Sequence, residues 1–383
     1  MLGGKHTGRN QKMKKHAAWL LLALSLVCLT GAAGCGSREE EEVSTADTFS
    51  TEDEVIPEET EEEEEVEEEV APEGMYRSEL TNEWISEDLK DQRPIAVMVD
   101  NEKTALPHYG LTQADVIYEM MNSTQNGQIT RFMVLVKDYD SIDQLGSVRS
   151  VRPTNFMIAP EWNAIVCHDG GPFYINSFLE NDYVDHFSGT FSRVDNGKPR
   201  EFTEYILPGD MDKNFNNSDV DRNYNEYAPT EPHFEFASES NPVDLTDEIG
   251  SEACTLVDLP FPHNGSELNY DEASGTYLYS EYGSAHLDPG NGNQQLAFKN
   301  VILQKMSYNQ LDDHGYMVWN CLATGMEGYY ITNGQAIPIT WSKISDTDRT
   351  IYYDMTGDEI TVNTGKTYIA FVADEVWDQL VIE

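Results

Sequence analysis

Positive charge is what this 383-residue chain has least of: 24 lysines and arginines stand against 69 aspartates and glutamates, for a formal net charge of -45. Nucleic acid is thereby excluded as an expected partner, because phosphate binding rests on cationic side chains that displace counterions. An anionic lipid surface repels such a body as well, so the folded part is expected to stand off a membrane. Cations and basic peptides are drawn toward it. Cysteine is also scarce, at five residues. Cys28 lies in an N-terminal leader and Cys35 closes it, so Cys167, Cys254 and Cys321 remain. Three thiols allow at most one internal pair, with no choice of partners written in the spacing, and buried free thiols are the expectation. No glycine-rich phosphate loop, zinc-spaced Cys/His set or Gly-x-Ser-x-Gly elbow is present, and no cofactor is expected. The longest apolar run, Ala17 to Thr30, is shorter than the roughly 20 residues of a transmembrane helix.

What is there begins with that leader. Lys5, Arg9, Lys12, Lys14 and Lys15 precede the apolar run, and Gly31, Ala32, Ala33 and Gly34 lead into Cys35. This order of charge, apolar core and small residues marks a secretory signal. With a cysteine directly after the cut it resembles the bacterial lipoprotein signal, which implies removal of residues 1–34 and a diacylglycerol on Cys35. Two acyl chains meet the requirement for stable anchoring. The expected location is therefore extracytoplasmic, lipid-anchored to the outer face of the cytoplasmic membrane, in a cell of Gram-positive type.

Residues 35–74 collapse to Glu, Asp, Thr, Ser and Val, with acidic blocks at Glu39–Glu42, Glu61–Glu65 and Glu67–Glu69. Like charges at this density repel, and too little apolar surface is present to offset the entropy of ordering, so the segment reads as a disordered acidic tether. Fully extended at about 3.3 Å per residue, it reaches on the order of 100 Å. The rest is globular sequence long enough for two cores. The expected fold class is α+β: a mixed α/β N-terminal domain over 75–245, then a mostly antiparallel β C-terminal domain over 246–383. Strands are expected at Arg93–Asp100, at Ala114–Met121 and Thr130–Val136 around an Asn126-Gly127 turn, and at Ala164–Val166; a helix is expected to start at Pro153. Asp210 to Asn225 reads as a long loop. From Tyr277 onward, eight short β-rich runs ending at Tyr368–Val372 suggest a small sandwich or barrel.

Several blocks resemble the YerB-like lipoproteins, the DUF3048 family. In the N-terminal part they are Arg93 to Asn101, Gly110 to Glu119, Ile129 to Phe132, Gly146 to Pro153 and His168 to Gly171. In the C-terminal part they are Ala285 to Asp288, Lys299 to Ile302, Ile331 to Gln335, Ile339 to Trp341 and Asp354 to Gly357. The resemblance implies a two-domain envelope lipoprotein, and it implies no reaction. Where the family often has an acidic residue and two glycines before the Thr-Arg block, this chain has Ser123 to Gly127.

The densest polar constellation is Asp100, Asn101, Asp115, Glu119, Arg131, Arg149, Arg152, His168 and Asp169. Guanidinium forks match carboxylate and phosphate, so Arg149 and Arg152, which share a face if they lie on a helical turn, are candidates to clamp an anion. The competing expectation is an internal network in which Asp115 and Glu119 neutralise the arginines. Cys167 and His168 adjoin on a strand and point to opposite faces, which argues against a thiol–imidazole pair. Asp210, Asp212 and Asn214 alternate oxygen ligands as calcium loops do, but Phe215 stands where such a loop needs glycine, and calcium remains a weak alternative. The function expected is a binding or interaction module of the cell envelope, for an anionic wall component or a protein partner. The alternative is an enzyme acting on a phosphorylated or carboxylated wall precursor, with Asp100, Asp115 or His168 as acid, base or metal partner.

Overall fold

Three apolar runs in the N-terminal part form strands whose residues are all buried: β1 (Ile95–Asp100), β2 (Val116–Met121) and β3 (Thr130–Val136). Strands buried on both faces read as continuous hydrophobic runs, which is why these segments were legible as strands. Successive side chains still alternate. Ile95, Val97 and Val99 join one core cluster, while Ala96 and Met98 join another on the opposite face of the sheet. The link from β2 to β3 turns through Asn126 and Gly127 at φ 55° and 70°, left-handed values that asparagine and glycine adopt most readily. Two parallel strands, β4 (Ile165–His168) and β5 (His186–Ser188), extend the sheet beyond β1.

The C-terminal part contributes β6 (Glu252–Ala253), β7 (Leu256–Asp258), β8 (Glu267–Asp271), β9 (Thr276–Glu281), β10 (Ser284–Ala285), β11 (Asn300–Met306), β12 (Ala323–Thr332), β13 (Gln335–Lys343), β14 (Ile351–Tyr353), β15 (Thr367–Ala373) and β16 (Val381–Ile382). The β12–β13 hairpin turns on Asn333 and Gly334, both with positive φ, as a two-residue hairpin requires. These strands do not make a separate sandwich. One eleven-stranded sheet runs β6-β13-β12-β11-β15-β2-β3-β1-β4-β5, with β14 on β13. Its join is β15, parallel to β11 on one side and to β2 on the other, with Thr367 opposite both Asn300 and Val116. A six-stranded sheet, β10-β9-β8-β7-β16 with Ala297–Phe298 against β9, supplies Val257, Leu268, Tyr277 and Tyr279 to the cluster on one face. Phe156, Trp162, Phe234 and Trp319 cover the other.

The computed structural model describes residues 70–383, which belong to one compact unit. The leader, Cys35 and the tether up to residue 69 lie outside the described residues. The architecture is mainly β, at 37% strand and 13% helix, which corrects the mixed α/β expectation for the N-terminal part. Among the described residues the α-helices are α1 (Asn155–Ile158) and α2 (Asp210–Asn216). The helix expected from Pro153 runs only to Ile158 and tightens into a 3-10 turn that Asn163 ends at φ 50°. The parallel strands β4 and β5 are joined through a 3-10 turn, Phe173–Ile175, rather than through a long helix. α2 replaces the first half of the expected loop: Met211 is buried and Phe215, four residues on and so on the same helical face, packs against the same cluster. The three remaining cysteines are free and buried.

Candidate functional site

Two arginines converge on one carboxylate at the end of β1, and a third lies beside them. Asp100 is 2% exposed and receives Arg149 Nε at 2.5 Å and Arg131 Nη2 at 3.3 Å. Burial alone would raise the Asp100 carboxyl, but the two guanidinium groups outweigh it and hold it below its ordinary value. Arg152 joins them without a carboxylate partner among the described residues: Nη1 donates to the Val151 carbonyl at 3.0 Å, and its guanidinium lies 5.0 Å from the centre of the Tyr316 ring. Burial, and repulsion from Arg131 and Arg149, lower the Arg152 pKa to about 9. The side-chain Nε atoms of Arg131 and Arg152 are buried and have no hydrogen-bond partner among the described residues. These groups line a solvent-open pocket of about 400 Å³, together with Glu102, Asn122, Ser123, His263, His314 and Tyr316.

The arginines are presented on extended chain and not on a helical turn, which corrects that expectation. Asp100 N donates to the Ser147 carbonyl, Arg149 N to Met98, and Val151 N to Gly170, so residues 147–151 are stitched between β1 and the loop after β4. The far wall comes from the C-terminal part, where Gly315 at φ 85° brings His314 and Tyr316 over Ser123 and Gln125. The lone Asp100, with exposed Glu201 at 3.1 Å from Arg149, does the neutralising that was expected of Asp115 and Glu119.

Glu119 and Asn101 sit in a separate, sealed cluster. The Glu119 carboxylate accepts from Asn101 Nδ2 at 3.1 Å, Thr130 Oγ1 at 2.6 Å, Ser266 Oγ at 2.9 Å, Tyr279 OH at 2.9 Å and Tyr368 OH at 2.5 Å. Burial pushes its pKa up to about 7 in spite of these donors. Asp115 is apart, accepting from Lys137 N at 2.6 Å, and burial likewise raises it to about 7. His168 Nδ1 bonds the Gly170 carbonyl at 2.8 Å and Nε2 faces His186 Nδ1 at 3.0 Å. Asp169 pairs with Arg193 at 2.7 Å. Cys167 and His168 do face opposite ways, the thiol into one cluster and the imidazole against Phe156 of the other; burial pushes the thiol far above its ordinary range.

Of the nine residues expected to form a constellation, the pocket therefore gathers Asp100, Arg131, Arg149 and Arg152. His263, His314 and Tyr316 escaped sequence reading, since they sit in turns more than 100 residues away from the arginines. In the calcium set, Asp210 accepts from Ser192 N at 2.9 Å and Leu207 N at 3.1 Å, Asp212 pairs with Arg222, and Asn214 Nδ2 donates to the Asp210 carbonyl at 2.8 Å. A larger cleft of about 530 Å³ is lined by Asp244, Glu248, Asp354 and Glu359 and has no cationic wall. It lacks the charge contrast of the arginine pocket.

A mainly β body whose two parts share one sheet, with an arginine pocket at their junction, defines a class that matches known families in both parts. Residues 80–221 match the family described as "Protein of unknown function (DUF3048) N-terminal domain", and residues 257–369 match "Protein of unknown function (DUF3048) C-terminal domain". The chain belongs to the DUF3048 family. It is similar to the "Putative lipoprotein YerB" of Bacillus subtilis (strain 168), with 24% identity over 317 residues, 80% of this chain and 86% of the relative. The crystal structure of YerB protein from Bacillus subtilis is similar in fold, with a TM-score of 0.67 at 23% identity, covering 80% of this chain and 99% of that one.

Proposed function

We propose that the chain is a lipoprotein anchored through Cys35 to the outer face of the cytoplasmic membrane, whose folded body is a binding module of the cell envelope for an anionic wall component. The lipoprotein name of its Bacillus relative supports the anchoring. The observation that carries the binding reading is Arg152: a guanidinium beside two others, without a carboxylate of its own, at the wall of an open pocket in a chain of net charge -45. Three like charges held together are relieved by an anion, and a guanidinium fork fits carboxylate and phosphate alike. Binding is favoured over catalysis because Asp100, the pocket's buried acid, is held ionised and is a poor proton donor.

The test is a titration of the full chain with two probes, a muropeptide bearing free carboxylates and a polyol-phosphate oligomer of the teichoic type. Arg152→Ala is expected to keep the melting temperature and to weaken binding of the preferred probe by roughly 10-fold to 100-fold, the size of a charge-assisted hydrogen bond. Equal affinity of parent and variant for both probes would discard the pocket as the binding site. Capture of a protein partner whose affinity also ignores Arg152 would move the interaction to another surface.

A further inference from the structure

Next to the arginine pocket, but sealed from it, two histidines and a glutamate meet in the core. Glu281 ends β9, the turn Tyr282-Gly283 reverses the chain, and β10 leads directly to His286. In the hairpin Glu281 lies opposite Ser284 and Ser280 opposite Ala285, while His286 N donates to the Tyr279 carbonyl. Glu281 and His286 therefore project from the same face, and Oε1 of Glu281 lies 2.9 Å from His286 Nδ1. His108 arrives from the N-terminal part, on the stretch between β1 and β2, where Tyr109 is bridged to Gly146 in both directions. Its ring centre is 5.0 Å from that of His286, and Phe132 and Tyr279 wall the pair with edge-on rings.

The hydrogen-bond inventory of this cluster does not close. His108, Glu281 and His286 are 0%, 2% and 3% exposed. Among the described residues neither nitrogen of His108 makes a hydrogen bond of normal geometry, although the Asp100 backbone lies near the ring, and His286 Nε2 has no partner. A buried polar atom without a partner carries an uncompensated desolvation cost, and three such atoms lie together here. Glu281 is meanwhile a buried acid with no Lys or Arg pairing with it among the described residues; its other hydrogen-bond partner is Asn264 Nδ2 at 3.4 Å. Lone-pair donors facing a carboxylate, with too few protons to share, are the complement of a cation. One ligand atom from each of the three residues can be chosen so that all lie within 4.8 Å of one another. Ligands held 2.0–2.1 Å from a tetrahedral ion sit roughly 3.4 Å apart, so turning the imidazoles brings the three ligand atoms to that spacing and leaves the fourth position to a water molecule.

We propose that His108, Glu281 and His286 bind one divalent first-row transition ion in a buried structural site that fastens the C-terminal hairpin to the N-terminal part. Two imidazoles and a carboxylate suit zinc and its neighbours and disfavour calcium and magnesium, which take oxygen. Asn264, which also donates to the Asn101 carbonyl at 3.2 Å, is the outer group that orients Glu281. The buried position leaves no route for substrate, so the ion contributes to folding and not to turnover.

The experiment takes the full chain produced in zinc-supplemented and in cobalt-supplemented medium, freed of loosely held ions by gel filtration through a chelating resin. The acidic sequence collects ions on its surface, so the readout is metal content together with the cobalt ligand-field spectrum, which reports nitrogen ligands. One equivalent per chain, intense visible cobalt bands and a higher melting temperature than chelator-stripped protein are expected. Glu281→Gln and His286→Gln, each checked by circular dichroism for a native sheet signal, are expected to lose the cobalt bands. A metal-free parent chain would overturn the proposal, and so would a parent whose bands survive in either variant.

Discussion

His168 shows how a single side chain ties this fold to pH. Its Nδ1–H donates to the Gly170 carbonyl, which leaves Nε2 as the acceptor of His186 Nδ1–H. The tautomers are thus set by geometry, and a proton on His168 Nε2 would place two N–H groups face to face. Burial first, and His186 beside it, lower the pKa of His168 to about 4, against the opposing effect of the hydrogen bond to the Gly170 carbonyl and, less, of Asp169. The ordinary value is about 6.5, so between pH 6.5 and 4 the unfolded chain takes up a proton that the folded chain refuses. Stability from this group is complete above pH 6.5 and declines as pH falls toward 4, by roughly 3 kcal/mol at most. Urea unfolding at pH 7 and pH 4.5 is expected to show a smaller acid loss in His168→Gln than in the parent. Equal losses would mean that His168 titrates normally.

Elements decide where the arginine pocket gets its far wall. The connection from β2 to β3 and the loop ending at Tyr316 touch through a close approach: a Cβ on Gly315 would stand 2.5 Å from Gln125 Cγ and 2.8 Å from Gln125 N. The left-handed φ of 85° adds its own penalty for any other residue. Gly315→Ala is expected to destabilise by about 1–3 kcal/mol and, by displacing Tyr316 from Arg152, to weaken anion binding beyond what stability explains. A variant with parent affinity would separate the loop from the site. This contact also marks the limit of sequence reading. β1, β2 and β3 announced themselves as apolar runs, and the arginines as members of the densest polar constellation in the globular sequence. The partners across the pocket, His263, His314 and Tyr316, are turn residues with no periodic signal. α2 was missed because its polar composition hid the Met211–Phe215 pair that holds it down. Asp115 and Glu119 were linked to the arginines as their neutralising acids, whereas the alternation of β2 carries Glu119 to the opposite face of the sheet, into a hydrogen-bond cluster with Tyr279 and Tyr368.

At the scale of the whole molecule, the pairing of β15 with β2 could not be read from the sequence, since parallel partners some 250 residues apart leave no local trace. Its consequence is mechanical. β15 is buried along its entire length between strands of both parts, so neither part keeps a complete sheet without the other. A second tie lies on the opposite face, where Glu161 receives Lys343 Nζ at 2.9 Å, Thr350 N at 2.9 Å and Tyr118 OH at 2.9 Å, with His233 Nε2 at 3.4 Å. Burial would raise the Glu161 carboxyl, but Lys343 and His233 prevail and hold it well below its ordinary range. Replacing it by glutamine leaves the Lys343 ammonium, 3% exposed, without its counter-charge. Glu161→Gln is therefore expected to cost about 3 kcal/mol or more. Because the sheet is continuous, the loss should fall equally on β2 in the N-terminal part and β12 in the C-terminal part. Hydrogen exchange read by mass spectrometry on peptides from those two strands measures both opening free energies in one sample. A drop confined to β12 would show that the parts open independently and that β15 does not couple them.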